Sequence, residues 1–352
     1  MAHSARVAQL SQVITTSAVC TCSPSSPRAI ALACTCLLAA RRIESDMVSA
    51  STGLKVFQAF GMIMGIMMTT FPQALLGVYG MDFFDCPAKP ARGAPPCDAT
   101  QNKAIAYNCF NFFGVQLLLQ GMLCAALSRN GVSSKAQSVA LLFAALTYVV
   151  FIVSDYSATL DDRWPEQMPK EGVYSNIVMW TGFIVVALLG WKDSGSVTPD
   201  FNKLSKITTG RFSLPLLAGC VNLLMFGVPM TFLREMMVSQ FGWDDLMKGV
   251  PKQVDFMIMV VLGNTGKMML ANSLAMLAIF SAASDDDTVY RLIRAASING
   301  VFFLGAFSKD AVSNLLLGHE DPMRVIAFVQ CFAVTYYQVN AFTGAPFTLK
   351  KK

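Results

Sequence analysis

The sequence predicts an all-α polytopic membrane protein with about eight transmembrane helices, arranged as two tandem four-helix repeats. Three observations support this fold class. Of the 352 residues, 54% are hydrophobic and 14% are charged, whereas about a quarter of the residues in soluble domains are charged. The apolar residues are grouped in blocks of about 20, the helix length that crosses a bilayer core of about 30 Å. The two halves of the chain also show the same order of features.

Eight apolar blocks are bounded by charged residues or by proline and glycine clusters. Helices are predicted for all of them, because the alternation typical of a membrane barrel strand is absent and unpaired backbone is not tolerated in lipid. The blocks are Leu54–Phe71, Ala104–Leu127, Gln137–Ser157, Tyr174–Trp191, Leu214–Phe232, Phe256–Ser281, Leu292–Leu315 and Arg324–Phe342.

Each half begins with a helix that has a proline near its exit, and its second helix carries polar residues. Aligning Gly114 with Gly266 also places Gln120 on Asn272. This similarity predicts an internal duplication, although any eight-helix chain can be divided into halves that share general features. Because each unit has an even number of spans, both copies would have the same orientation in the membrane.

The predicted organisation has four parts. Residues 1–46 precede the repeats, residues 47–192 form the first repeat, 193–212 a polar linker and 213–352 the second repeat. The first part has no acid before Glu44 and contains scattered arginines, which is typical of an organellar transit peptide. Two alternatives stay open: a signal peptide or short anchor, and an upstream extension of a protein that starts at Met47.

Basic residues favour the side of the membrane that holds both termini, whereas acidic residues cluster in the loops of the other side. We therefore expect both termini in the cytosol, matrix or stroma. The pattern does not distinguish the plasma membrane or endomembranes from an organelle. The expected partners are the lipid bilayer and other membrane subunits. The net charge of +5 does not indicate nucleic-acid binding, because it is divided between two unlike faces.

No enzyme motif is found, so we expect a non-enzymatic protein without a cofactor or a metal. The chain has only two histidines, which excludes multi-histidine iron, haem and zinc motifs from the membrane core. Cys86 and Cys97 are a candidate disulfide that would close a proline-rich loop in an oxidising compartment. The tryptophans, Trp180 among them, are interpreted as residues of the interfacial aromatic belts.

The second helix of each half carries an unusual set of polar residues: Asn111, Gln116 and Gln120 in the first, and Asn264, Lys267 and Asn272 in the second. On a helical wheel each set occupies about half the circumference. Lys267 lies too deep in its block for the side chain to reach the membrane interface. An unpaired charge at that depth costs at least ~2.5–3.5 kcal/mol.

Three explanations for Lys267 stay open. Asp155 or Asp310, at matching places in the third helix of each half, would supply a carboxylate partner. The "GNTG" stretch would interrupt the helix and place Lys267 beside water. In the third explanation, asparagines and glutamines join helices at about 0.6 kcal/mol per hydrogen bond, and Lys267 is neutral or hydrated.

Two functions follow from these alternatives. In the first, the protein is a small-solute or ion transporter or a channel-like permease. Its pathway between the repeats is lined by Asn111, Gln116, Gln120, Asn264, Lys267 and Asn272, with Asp155 and Asp310 at the outer mouth. In the second, it is a non-catalytic membrane scaffold or an accessory subunit, in which the polar residues pair and leave no accessible volume.

Overall fold

A computed structural model shows a helical protein with long, closely packed helices. The structure describes residues 48–74, 99–164, 170–201, 212–240, 243, 252–283, 285–316 and 322–343. For residues 99–104, 307, 309–316, 322–327 and 342 it describes the backbone alone. The described residues form helices and connecting turns, with no β-strand among them.

Eight long helices and one short helix make up this part of the chain. They are α1 (Ala50–Thr70), α2 (Ala99–Leu127), α3 (Ser134–Thr159), α4 (Lys170–Asp193), α5 (Ser213–Phe232), the short α6 (Arg234–Gln240), α7 (Lys252–Ala282), α8 (Asp286–Leu316) and α9 (Pro322–Thr343). Each of the eight predicted apolar blocks coincides with one long helix to within several residues. Helix α6 was not predicted from the sequence.

Six of the helices are long and apolar enough to cross a membrane: α1, residues Ile105–Leu127 of α2, α3, α4, α5 and α7. They indicate a multi-pass integral membrane protein. The uncharged stretch of α8 is shorter than in these six helices, because it is limited to the residues between Arg294 and Lys309. The prediction of eight spans therefore stays a prediction for α8 and α9.

The ends of α1 follow from local chemistry. The side chain of Ser49 accepts a hydrogen bond from the backbone N–H of Thr52 at 3.2 Å, which satisfies one of the free donors of the first turn. At the other end, α1 stops at Thr70, two residues before Pro72. The residue before a proline is disfavoured in the helical region, so the proline exit seen in the sequence ends this helix.

Glycines bring α1 and α2 into backbone contact. A Cβ atom added to Gly61 would lie 2.7 Å from the backbone nitrogen of Gly121, and one added to Gly65 would lie 2.7 Å from that of Leu118. No larger residue fits at these separations. Small residues four apart are the usual means of close helix approach in membranes.

Helices α5 and α7 pack through a matching set of residues. A Cβ on Gly266 would lie 2.6 Å from the hydroxyl of Thr231, and a Cβ on Gly114 would lie 2.8 Å from that of Thr69. Both threonines donate a 2.7 Å hydrogen bond to the carbonyl oxygen four residues earlier, on Gly65 or Gly227. The segments are "GIMMT" in α1 and "GVPMT" in α5.

The remaining contacts between helices follow the same correspondence. Helix α3 packs on α4 as α8 packs on α9, and α1 contacts α4 as α5 contacts α9. Across the two halves, α2 packs on α8 and α7 packs on α3, while α2 and α7 contact each other. The second helix of each half thus lies at the centre of the described bundle.

We call the end of the bundle where α1 and α3 end and where α2, α4 and α7 begin the distal end. The opposite end is the proximal end. The pairings Gly61–Gly121, Thr159–Lys170 and Asp155–Asn264 fix these directions. Chain order therefore places Asp155 and Asn264 in the distal half of the bundle.

Candidate functional site

Lys267 is held by a polar network between α3 and α7. Its ammonium donates hydrogen bonds to the hydroxyl of Ser154 and to Asn264 Oδ1, the latter at 3.0 Å. The Ser154 hydroxyl in turn donates to Asn264 Oδ1 at 3.0 Å. Asn264 and Lys267 share a face because they are three residues apart on a helix. These two oxygen acceptors offset part of the free-energy cost of placing an ammonium in the bundle.

Asp155 joins this network through the other end of the same amide. Asn264 Nδ2 donates to Asp155 Oδ1 at 3.4 Å, and the indole Nε1 of Trp180 donates to Asp155 Oδ2 at 3.2 Å. The carboxylate and the ammonium are therefore bridged by one asparagine. The predicted carboxylate partner of Lys267 is present, but the link is indirect.

A cavity of about 110 Å³ lies beside the network, in the distal half of the bundle. Asp155, Asn176 and Asn264 supply its polar wall. The other walls carry methionine and aliphatic side chains and six aromatic rings, from Phe60, Phe110, Phe113, Phe151, Trp164 and Trp180. This combination of an apolar cavity and a few convergent polar groups is typical of small-molecule sites.

Aromatic packing fixes the position of the Trp180 indole. Its ring stacks on Tyr148, with centroids 5.1 Å apart and an interplanar angle of 21°, and meets Phe60 edge-on at 5.6 Å. Such offset and edge-to-face pairs add about 0.5–1.5 kcal/mol each beyond surface burial. Trp180 therefore presents its N–H to Asp155 from a rigid support.

Charged residues follow α3 at the distal end. Arg163 forms two side-chain hydrogen bonds to Asp161, at 3.0 Å and 2.9 Å, and its guanidinium lies 4.8 Å from the ring centre of Phe256. These bonds hold the pKa of Asp161 at about 2, below its ordinary value of 3.8. Asp161 does not line the cavity, so its charge is a natural comparison for that of Asp155.

The other predicted pathway residues form hydrogen-bonded pairs deeper in the bundle. Asn272 Nδ2 donates to the backbone oxygen of Gln116 at 2.9 Å and to its side-chain oxygen at 3.5 Å. The hydroxyl of Tyr148 donates to Gln120 Oε1 at 2.9 Å. All four side chains are buried, so these pairs join α2 to α7 and to α3.

A second space of about 20 Å³ lies next to Gln120, Thr147 and Asn272. A cavity needs about 10–15 Å³ to hold a water molecule, so this space has room for one. It is separate from the larger cavity. The polar residues of α2 and α7 therefore divide into cavity-lining and helix-joining groups.

Several predicted residues take other places. The side chain of Asn111 is buried, and its Oδ1 has no hydrogen-bond partner in the part of the chain that the structure describes. Asp310 lies in α8, but its side chain is outside the described residues, as are Cys86 and Cys97. The candidate disulfide is therefore untested.

Two interpretations are wrong. Helix α7 continues through Gly263, Asn264, Thr265 and Gly266, so "GNTG" does not interrupt it. Side-chain hydrogen bonds to Ser154 and Asn264, rather than a helix break, accommodate the Lys267 ammonium within the bundle. Trp180 is only 8% exposed and bonded to Asp155, so it does not belong to an interfacial belt.

Sequence reasoning missed Ser154, Asn176 and Trp180 as site residues. Ser154 directly precedes Asp155, but a serine in a helix usually bonds its own backbone. Asn176 and Trp180 are four residues apart on α4, a spacing that places both on one face. That spacing was the available signal.

Compared with protein-family models, with curated proteins and with solved structures, the chain has no significant match.

Proposed function

We propose that the protein is a small-solute permease in which the distal cavity is the solute site. The observation that carries this proposal is the cavity of about 110 Å³ whose wall holds Asp155 and Asn264. Polar and ionisable residues within membrane segments are costly, and they commonly mark solute pathways. A scaffold has no need of such a cavity.

In the proposal, the barrier of this pathway is formed by two hydrogen-bonded pairs, Gln116 with Asn272 and Gln120 with Tyr148, which we call the amide pairs. Gln116–Asn272 and Gln120–Tyr148 lie on the proximal side of the cavity, and the space for one water lies beside them. Passage of a solute requires these hydrogen bonds to exchange for bonds to solute or water. In the proposal, this arrangement is a state that is closed at the two amide pairs.

The proposal includes a duplicated four-helix unit. It is supported by the matching glycine–threonine contacts of α1 with α2 and of α5 with α7. It is also supported by the corresponding helix contacts of the two halves. Permeases built from parallel repeats place their sites between the repeats, and the network of Ser154, Asn264 and Lys267 joins α3 of one half to α7 of the other.

The proposed orientation keeps both termini on the cytosolic, matrix or stromal side, with the distal end facing the other compartment. Its support is the excess of basic residues in the loops on the side of the termini.

A scaffold or accessory subunit is the second candidate. The observation that favours it is that Gln116, Gln120 and Asn272 are buried and bonded within the chain. Intramembrane amides often serve only to join helices. In that case the cavity is a packing defect or a site for a lipid chain.

Uptake into proteoliposomes separates the two functions. Three radiolabelled probes represent a cation, an anion and a neutral solute: tetramethylammonium, acetate and glycerol. We expect uptake of at least one probe above that of protein-free vesicles, and a loss of this uptake in Asp155→Asn. Asp161→Asn is the matched control, because it removes a partly exposed carboxylate outside the cavity.

Uptake equal to that of empty vesicles for all three probes, with protein that is folded and inserted, would contradict a permease and favour the scaffold. Equal uptake by the wild type and Asp155→Asn would show that the cavity is not part of the solute pathway.

A further inference from the structure

We propose that the distal cavity recognises a small organic ammonium ion, with Asp155 as its counter-ion and the surrounding aromatic rings as its cage. The inference rests on the cavity that the proposed function uses, and it adds a chemical class of ligand. Four features of the site carry it.

The first feature is the remaining acceptor capacity of Asp155. Among the described residues, Oδ1 accepts one hydrogen bond from Asn264 and Oδ2 accepts one from Trp180. An ionised carboxylate offers about four acceptor positions. The carboxylate lines the cavity, so it has room to accept a bond from a cationic ligand there.

The second feature is the aromatic character of the walls. Trp180 and Phe60 meet edge-to-face at 5.6 Å, and Phe113 and Phe151 meet in the same way at 5.9 Å. These rings belong to the walls of the cavity, so a ligand there is in contact with aromatic surface. The face of an aromatic ring attracts a cation, and cages of such rings bind quaternary ammonium groups.

The third feature is the position of Lys267. Its ammonium donates to Ser154 and Asn264, and it is not among the residues that line the cavity. Asn264 lies between the ammonium and the carboxylate. The cavity therefore presents the negative member of the network to a ligand, while the positive member is held behind an amide.

The fourth feature is size. A cavity of about 150 Å³ holds benzene, so a cavity of about 110 Å³ suits a compact ion rather than an extended one. Tetramethylammonium is such an ion, and it has no N–H donor, so its binding isolates the contributions of charge and aromatic faces.

Tryptophan fluorescence of the purified full-length protein in detergent tests this inference, because Trp164 and Trp180 lie in the cavity wall. We expect a saturable change on titration with tetramethylammonium chloride, and a weaker response to tert-butanol, a neutral molecule of similar bulk. Sodium chloride at equal concentration controls for ionic strength.

Three variants locate the binding. We expect Asp155→Asn to weaken tetramethylammonium binding by roughly tenfold, as loss of a charge contact predicts, and Asp161→Asn to leave it unchanged. Phe113→Leu keeps the carboxylate but removes one ring, and it should also weaken binding. Circular dichroism and size-exclusion chromatography confirm that each variant is folded, so a weaker response reports on the site.

Equal binding of tetramethylammonium and tert-butanol, or unchanged affinity in folded Asp155→Asn, would overturn the inference. Binding of tetramethylammonium without uptake of any probe would leave the ammonium site intact and contradict the permease. Uptake of acetate or glycerol without tetramethylammonium binding would support the permease and overturn the ammonium site.

Discussion

At the scale of single residues, the central feature is a charged pair joined through an amide. Lys267 and Asp155 both bond to Asn264, so each charge lowers the cost of placing the other in the bundle. Removing one member of a partly buried pair leaves the other uncompensated. This arrangement makes the two residues energetically coupled.

A double-mutant cycle measures that coupling. We expect Lys267→Met and Asp155→Asn each to lower the free energy of unfolding in detergent. The double variant should lose less than the sum, by about 0.5–3 kcal/mol, as for residues of one network. Lys55→Met combined with Asp155→Asn is the control, because Lys55 is exposed on α1. Additive losses for the Lys267 cycle would show that the charges do not interact.

The Tyr148–Gln120 hydrogen bond gives a second residue-scale prediction. Tyr148→Phe removes the only atom that donates to Gln120 Oε1 in the described region and leaves a buried acceptor unpaired. We expect a loss of about 1–3 kcal/mol in the free energy of unfolding. Tyr156→Phe on the same helix is the control, because Tyr156 is 50% exposed. Equal effects of the two substitutions would contradict a role for the bond.

The sequence predicted part of this site. Depth in an apolar block identified Lys267 and Asn264 as unusual, and the place matching Asp310 identified Asp155; the structure brings the three residues together. The contribution of Ser154 and Trp180 depends on which faces of α3, α4 and α7 meet, and helical periodicity does not determine that. The division of the amides into lining and joining groups is likewise a result of tertiary packing.

At the scale of elements, glycines determine how close the paired helices lie. We expect Gly65→Ala and Gly266→Ala each to lower the free energy of unfolding by about 1–3 kcal/mol, because overpacking forces the helices apart. Gly182→Ala and Gly305→Ala are matched controls, since a Cβ at either position meets no atom within 4 Å. Tolerance of Gly65→Ala with intolerance of Gly182→Ala would contradict the packing described.

The long helices were predictable because hydropathy and length report directly on the membrane core. Two element-scale features were not. Glycine and asparagine in "GNTG" are poor helix formers in water, yet α7 is continuous, since backbone hydrogen bonds within a helix are strongly favoured in an apolar surrounding. The short α6 contains too few residues for a hydropathy pattern.

At the scale of the whole molecule, we expect α8 and α9 to cross the bilayer as well. Residue 319 lies between them and Lys352 is the last residue. If both helices span, a single cysteine from His319→Cys faces the compartment opposite to a C-terminal tag. We expect an impermeant thiol reagent and protease protection to place these two sites on opposite sides of sealed vesicles.

Placement of both sites on the same side would show that α9 does not cross the hydrocarbon core, and placement of residue 319 on the side opposite to residue 163 would show that α8 does not cross it. Either result would contradict the eight-span prediction. A cysteine replacing Arg163, in the turn after α3, is the control because it marks the distal side directly.

The most direct test of the account is the accessibility of the cavity in the intact membrane. In a background without the ten native cysteines, single cysteines replace Asn176 or Val260 in the cavity wall, and Gln116 or Asn272 at the amide pairs. A small impermeant methanethiosulfonate reagent is applied from the distal side. We predict that the first two react at a rate comparable to a cysteine at Arg163, while the last two stay unmodified. Unreactive cysteines at Asn176 and Val260, beside a reactive loop control, would contradict a solute site and leave the scaffold.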